Sequence, residues 1–179
     1  MKKKKIVITG GPGTGKSSVI HQLEAMGHKC LHEISREVIH EAQLNGIEQL
    51  FLEDPLLFSR KLLEGRIDQF QEAEKDPSEL VFIDRGIPDV AAYMDYLSTE
   101  YPEEFIKPCQ KHKYDKIFIL PPWRAIYKSD NERYETFDQA SNISKYLIKT
   151  YERYGYEPIL VPEAGIEERA NFILTNSGL

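Results

Sequence analysis

The sequence predicts an α/β domain: a five-stranded parallel sheet with helices on both faces. Short β-branched apolar runs alternate with amphipathic stretches along the whole of the 179 residues, the pattern of strands joined by crossover helices. The first run ends in a glycine-rich turn. The polar residues able to do chemistry fall at the carboxyl ends of the runs, where open parallel sheets place their ligands. The length fits one domain, residues 1–179, with no internal repeat or low-complexity linker.

Residues 5–9 (Lys-Ile-Val-Ile-Thr) form a buried parallel strand stopped by glycines. Val19, Leu23 and Met26 then recur at helical spacing, and Gly27 supplies a C-terminal stop. Residues 29–31 make a second short strand, after which Ile34, Val38 and Ala42 mark a helix ending near Asn45 and Gly46. Beyond Asp54 and Pro55, a longer helix carries Phe58, Leu62, Ile67 and Phe70. Residues 80–84 (Leu-Val-Phe-Ile-Asp) are the clearest interior strand. Pro88 opens a helix with Val90, Tyr93, Met94 and Leu97, and residues 101–113 are expected to be helical and exposed. Residues 116–120 form a fourth strand stopped by Pro121 and Pro122, followed by a polar, aperiodic, lid-like loop to about 135. A long helix over 136–155, a fifth strand at 158–161 and a closing helix over 166–174 complete the chain.

Composition narrows the partners. A net charge of −6 argues against a broad nucleic-acid surface and means that any phosphate chemistry needs locally concentrated positive charge. Two cysteines, Cys30 and Cys109, are too few for a disulfide framework, which points to a reduced, cytoplasmic protein. No apolar run is long enough for a membrane span, and Lys2 to Lys5 read as a solvated lead-in to the first strand.

Gly10-Gly-Pro-Gly-Thr-Gly-Lys-Ser17 matches G-x-x-x-x-G-K-[ST], with an apolar strand before it and an amphipathic helix after it. This is a P-loop. Backbone N–H groups over Gly10, Gly11, Gly13, Thr14, Gly15, Ser17 and Ser18 are expected to cradle phosphates at the positive end of a helix. Lys16 would reach the β- and γ-phosphates, and the Ser17 hydroxyl would ligate Mg²⁺. Asp84, at a strand end, is the second candidate for magnesium, and Arg85 after it would project beside the phosphates or the acceptor.

Glu33 and Arg36 follow the second strand. Glu33 is read either as a base for an acceptor hydroxyl or as a carboxylate that only favours a helix start. Arg36, Arg85, Asp89, Tyr93 and Arg124 are the candidate acceptor-side residues. In the lid-like loop, which also holds Lys128 and Asp130, Arg133 is the candidate phosphate contact. Trp123 beside Arg124 suggests that this loop packs at one point. His28 and His32 lie on the predicted second strand, where their spacing builds no helical metal site, and Tyr146, Tyr151, Tyr154 and Tyr156 are read as packing for the long helix.

The run from Ile6 to Ser17 resembles the small P-loop ATPase domains called AAA-type domain 28. The resemblance continues through Glu33-Ile-Ser-Arg-Glu37, Asp84-Arg-Gly-Ile-Pro-Asp89, Leu120-Pro-Pro-Trp123 and Asn131-Glu-Arg-Tyr134. It is also similar to ribosylnicotinamide kinases and, further off, to deoxynucleoside and thymidylate kinases. The resemblance implies a nucleoside/nucleotide-kinase-like fold with strand order 2-3-1-4-5. It assigns the phosphate loop to Gly10, Gly13, Gly15, Lys16, Ser17 and Ser18, the acceptor-side carboxylate to Glu33, the Asp-Arg pair to Asp84 and Arg85, and the lid arginine to Arg133. It further implies ATP or GTP with Mg²⁺ and a small nucleoside- or nucleotide-like acceptor, or else a regulatory protein that hydrolyses the nucleotide slowly. Asp130 is followed by Asn131 where ribosylnicotinamide kinases tend to have glycine, so that acceptor is not assigned. No arginine-rich region follows the fifth strand.

Overall fold

A computed structural model describes residues 3–127 and 135–178. Strands β1 (Lys4–Gly10), β2 (Lys29–Leu31), β3 (Leu80–Asp84), β4 (Lys116–Leu120) and β5 (Ile159–Leu160) form one sheet in the order β2-β3-β1-β4-β5. Every neighbouring pair is parallel, so the five-stranded sheet and its order agree with expectation. β5 is shorter than its apolar run, because Pro158 and Pro162 flank it and cannot donate to the ladder.

Alternation along the strands divides the core in two. Ile6, Ile8, Phe82, Phe118 and Leu120 point to one face, where helices α1 (Lys16–Ala25) and α8 (Ile166–Asn176) cover them with Val19, Ile20, Leu23, Ala170 and Ile173. Val7, Val81, Ile83, Ile117 and Ile119 point to the other. There α4 (Pro55–Lys75), α5 (Pro88–Tyr96) and α7 (Phe137–Arg153) supply Leu63, Phe70, Val90, Met94, Leu147 and Tyr151. Between β2 and α4 lie α2 (Ser35–Leu44) and a single turn, α3 (Leu50–Glu53), which is too short to announce itself by periodicity. Asp54 then caps α4, its Oδ1 accepting from the Leu57 N–H at 2.9 Å, with Pro55 in the first turn.

Residues 101–113 depart from expectation. They form a 3₁₀ turn (Glu103–Phe105) and a short helix α6 (Ile106–Lys111), and the segment is not exposed throughout, since Phe105 and Cys109 are fully buried. The Cys109 thiol donates to the Phe105 carbonyl, and both side chains join the core beside Tyr154. Two buried positions four apart, one on the 3₁₀ turn and one on the six-residue helix, give too little periodicity to be read in advance.

α7 starts at a capping box. The Gln139 N–H donates to Thr136 Oγ1 at 3.2 Å, and the Gln139 side chain accepts from the Thr136 N–H at 2.7 Å. α7 packs on α5 and carries Tyr151 under the site described below. Thr136→Ala is therefore expected to lower unfolding free energy by about 1 kcal/mol, measured by chemical denaturation. No measurable change would mean that the box does not set the helix start.

Candidate active site

Three parallel strand ends converge. β1 runs into the turn 11–15 and α1, β2 into Glu33, and β3 into Asp84 and Arg85. Gly13 and Gly15 have φ of 74° and 77°, in the left-handed region that glycine alone adopts without cost. Thr14 staples the turn, its hydroxyl donating to the Gly11 carbonyl at 3.0 Å. Helix α1 starts at Gly15 with no side-chain cap and no acid in its first turn. Its first N–H groups and the positive end of its dipole are thus left for an external anion. Ser17 and Ser18 lie exposed on that first turn.

Lys16 is buried, and its ammonium donates to Asp84, itself buried at the end of β3. Burial lowers the Lys16 pKa and so does the nearby Arg85, while Asp84 opposes them.

Arg85 turns the other way. Its φ of 69° is a left-handed conformation that a residue with a Cβ adopts only under constraint. Its N–H donates to the Ile8 carbonyl at 3.0 Å, continuing the β1–β3 ladder by one step. Its Nε lies 2.5 Å from Glu33 Oε2, its Nη1 3.2 Å from Asp89 Oδ1, and its guanidinium 5.4 Å from the Tyr93 ring centroid. Gly86 follows because nothing larger fits: a Cβ there would sit 2.6 Å from the Tyr151 hydroxyl and 3.0 Å from Val7.

Glu33 accepts from the Ile34 and Ser35 N–H groups at 3.1 and 3.2 Å, as a helix-start carboxylate does, and pairs with two arginines, Arg85 and Arg66. Burial alone would raise its pKa. Arg66, Arg85 and Lys16 outweigh that and hold it down at about 2.

Asp89 lies beneath the site and out of its wall. It is fully buried and accepts from the Thr9 and Tyr151 hydroxyls, the Gly86 N–H at 3.0 Å and Arg85. Its geometry is that of a strut for Arg85. Arg36 is exposed on the first turn of α2. Arg124 is exposed too, its guanidinium 4.1 Å from the Phe137 ring centroid at the root of α7. Arg133 and the rest of 128–134 lie outside the described residues. Of the candidate residues, Lys16, Glu33, Asp84, Arg85, Asp89 and Tyr93 thus come together with the phosphate loop, and Arg124 does not join them.

Three participants were not anticipated. Arg66 lies within the buried stripe Leu63, Phe70 and Ala73 of α4. Arg169 lies beside buried Ala170 and Ile173 of α8, and its Nη1 donates to the Thr14 carbonyl at 2.9 Å. An arginine inside an apolar stripe was the available signal for both. Tyr151, assigned to packing alone, also donates to Asp89, and no sequence pattern announces that bond.

The residues that could hold a magnesium ion here are Ser17 and Asp84, whose hydroxyl and carboxylate are hard oxygens, although Asp84 is paired with Lys16. This ion takes one or two protein groups with phosphates and waters completing its shell.

A family model described as an AAA domain matches residues 5–169. The chain belongs to this AAA domain family. No curated protein matches it in sequence. Among solved structures it is similar to deoxyadenosine kinase from M. mycoides, with a TM-score of 0.70, 15% identity, and 96% of this chain and 97% of that one covered. It is similar also to the NadR protein in complex with NR, with a TM-score of 0.74 and 18% identity over 99% of this chain, which spans about half (52%) of NadR. Thymidylate kinase from Candida albicans gives a TM-score of 0.65 and 16% identity, with 98% and 92% covered. At these identities the likeness is one of fold: a P-loop kinase-like fold shared with nucleoside and nucleotide kinases. No helix among the described residues is long and apolar enough to cross a membrane.

The depressed Glu33 pKa has a consequence for stability. A carboxyl that titrates near 4.5 when unfolded and at about 2 when folded stabilises the protein fully above 4.5 and loses that contribution as pH falls toward 2. Glu33→Gln is expected to be less stable than the parent at neutral pH, by on the order of 2–3 kcal/mol, with the gap closing across that window. Denaturation curves at a series of pH values would show it, and parallel curves would contradict the pairing.

Proposed function

We propose that the protein is a phosphotransferase that moves the terminal phosphoryl group of ATP or GTP, with Mg²⁺, to the hydroxyl of a small nucleoside- or nucleotide-like acceptor. The observation that carries the proposal is the Asp84–Arg85 dipeptide. One residue of it pairs with Lys16 in the phosphate loop and the next pairs with Glu33, so a single strand end links a triphosphate site to a carboxylate beside it.

On this reading Lys16 leaves Asp84 for the phosphates, and Ser17 and Asp84 hold the metal. Magnesium held there would neutralise negative charge on the phosphates during transfer. Arg85, fixed by Asp89, sets Glu33 in place, and Tyr93 lies against its guanidinium. Arg133, which the family resemblance assigns to the lid, would close over the transferring group. Glu33 differs from the expected base in one respect. With a pKa held at about 2 it takes protons poorly at neutral pH, and its chemistry is to orient the acceptor hydroxyl. A loose phosphoryl-transfer transition state asks little more, because the proton leaves late.

The alternative is a regulatory nucleotide-binding protein with slow hydrolysis. It draws support from the complete pairing of Glu33 by two arginines and two backbone N–H groups. Turnover of γ-labelled ATP and GTP against a panel of nucleosides, nucleotides and cofactor precursors separates the two. A labelled acceptor supports transfer, whereas labelled inorganic phosphate alone supports hydrolysis.

Lys16→Ala should lose most triphosphate affinity by calorimetry, roughly 2 kcal/mol or more for a charge-assisted contact in a desolvated site. Affinity equal to that of the parent would refute the phosphate site. Glu33→Gln should keep Mg-ATP affinity while acceptor phosphorylation falls by about tenfold or more. The parent's rate should show no carboxylate limb above about pH 4. Full turnover in Glu33→Gln would leave Glu33 with its structural role only.

A further inference from the structure

Three arginines lie buried or half-buried around the phosphate loop, and one of them has no carboxylate partner among the described residues. Arg66 pairs with Glu33, and Arg85 pairs with Glu33 and Asp89. Arg169, on the first turn of α8, is 5% exposed, and among the described residues no carboxylate comes within ion-pair distance of it. Glu167 and Glu168 on the same turn are exposed, and Glu163 lines the same small cleft without reaching the guanidinium. The Arg169 Nε is buried without a hydrogen-bond partner. Burial lowers its pKa, with no charged neighbour opposing among the described residues. The helix position is no compensation, because the first turn of a helix is its positive end. A buried cation left in this state is costly unless something else supplies the anion.

What Arg169 does touch is the phosphate loop. Its Nη1 donates to the Thr14 carbonyl at 2.9 Å, and its guanidinium lies 5.9 Å from the Trp123 ring centroid, at the beginning of the loop after β4. In a trans peptide the C=O and the following N–H point in opposite directions. Holding the Thr14 carbonyl toward Arg169 therefore aims the Gly15 N–H away from Arg169. The fit is close, since a Cβ at Gly15 would lie 3.0 Å from Arg169 Nη2.

Taking the loop as the triphosphate site proposed above, we infer that Arg169 is a positioning residue for the phosphates. It locks the Thr14–Gly15 peptide plane with its N–H toward the ligand, and its buried charge is balanced by the bound polyphosphate. Helix α8 thereby becomes part of the nucleotide site, although it contributes no side chain to the P-loop motif.

Calorimetric titration of Mg-ATP into the parent, Arg169→Met and Arg169→Lys, each paired with a melting curve, tests this. Arg169→Met is expected to melt close to the parent, because the buried charge it removes offsets the Thr14 carbonyl it leaves without a donor, and to bind Mg-ATP roughly tenfold or more weakly. Arg169→Lys keeps the charge without the planar fork and should fall between the two. A residue that only packs would show the reverse: a lowered melting temperature and parental affinity. Mg-ATP affinity in Arg169→Met within about twofold of the parent, a difference under roughly 0.5 kcal/mol, overturns the inference. Should Arg169→Met fail to fold, Arg169→Lys decides: weakened binding at a parental melting temperature supports the role, and parental binding removes it. A parent that binds no nucleotide refutes the reading of the loop itself, an outcome distinct from all of these.

Discussion

Because β1 and β3 run parallel with Ile8 opposite Asp84, the two chains leave the sheet side by side, one into the phosphate loop and the other into Asp84-Arg85-Gly86. Lys16 can meet Asp84 only because that register holds, and Arg85 can spend its N–H on the Ile8 carbonyl while its side chain turns toward Glu33. A slip of one residue would exchange the two faces of β3, moving Phe82 off the α1–α8 layer and Asp84 away from the loop. The left-handed backbone at Arg85 is the cost of keeping both directions at once. It is held by three side chains from two separate elements: Glu33 after β2, and Asp89 and Tyr93 on α5.

Much of this was legible in the sequence, for reasons that differ from element to element. The strands were readable because full burial on both faces demands unbroken apolar runs, and the phosphate loop because its backbone needs glycine at fixed places. Asp84 and Arg85 were readable from their position after an interior strand. Arg66 and Arg169 were not, since a helical wheel treats a charged residue on a buried face as noise unless its partner is known. The partners lie far away in sequence, at Glu33 and Thr14. Asp89 was placed in the acceptor wall because a carboxylate after Asp-Arg invites that role. Its complete burial depends on Thr9 and Tyr151, which no local pattern connects to it. Arg124 followed from charge in an aperiodic loop, whereas its stacking on Phe137 is a tertiary fact.

Charge is distributed in a way that the net value hides. The chain is acidic overall, yet the strand ends collect Lys16, Arg66, Arg85 and Arg169 within or beside one loop, three of them matched internally by Glu33, Asp84 and Asp89. Matched buried pairs contribute little net stability, because desolvation consumes most of their attraction. What they do supply is orientation: Glu33 and Asp89 pin Arg66 and Arg85 along defined directions, and the two arginines fix Glu33 in turn.

The Lys16–Asp84 pair has a further effect on which anions the loop would accept. A carboxylate already seated on Lys16 acts as an internal competitor, and the apparent affinity of any incoming anion is its intrinsic affinity reduced by the work of separating that pair. On the proposed reading of the loop, a small oxyanion such as orthophosphate, which offers one point of attachment, would recover less of that work than a chain of phosphates that engages the loop backbone at several points and brings a cation to the released Asp84. The pair would then favour polyphosphates over single phosphates.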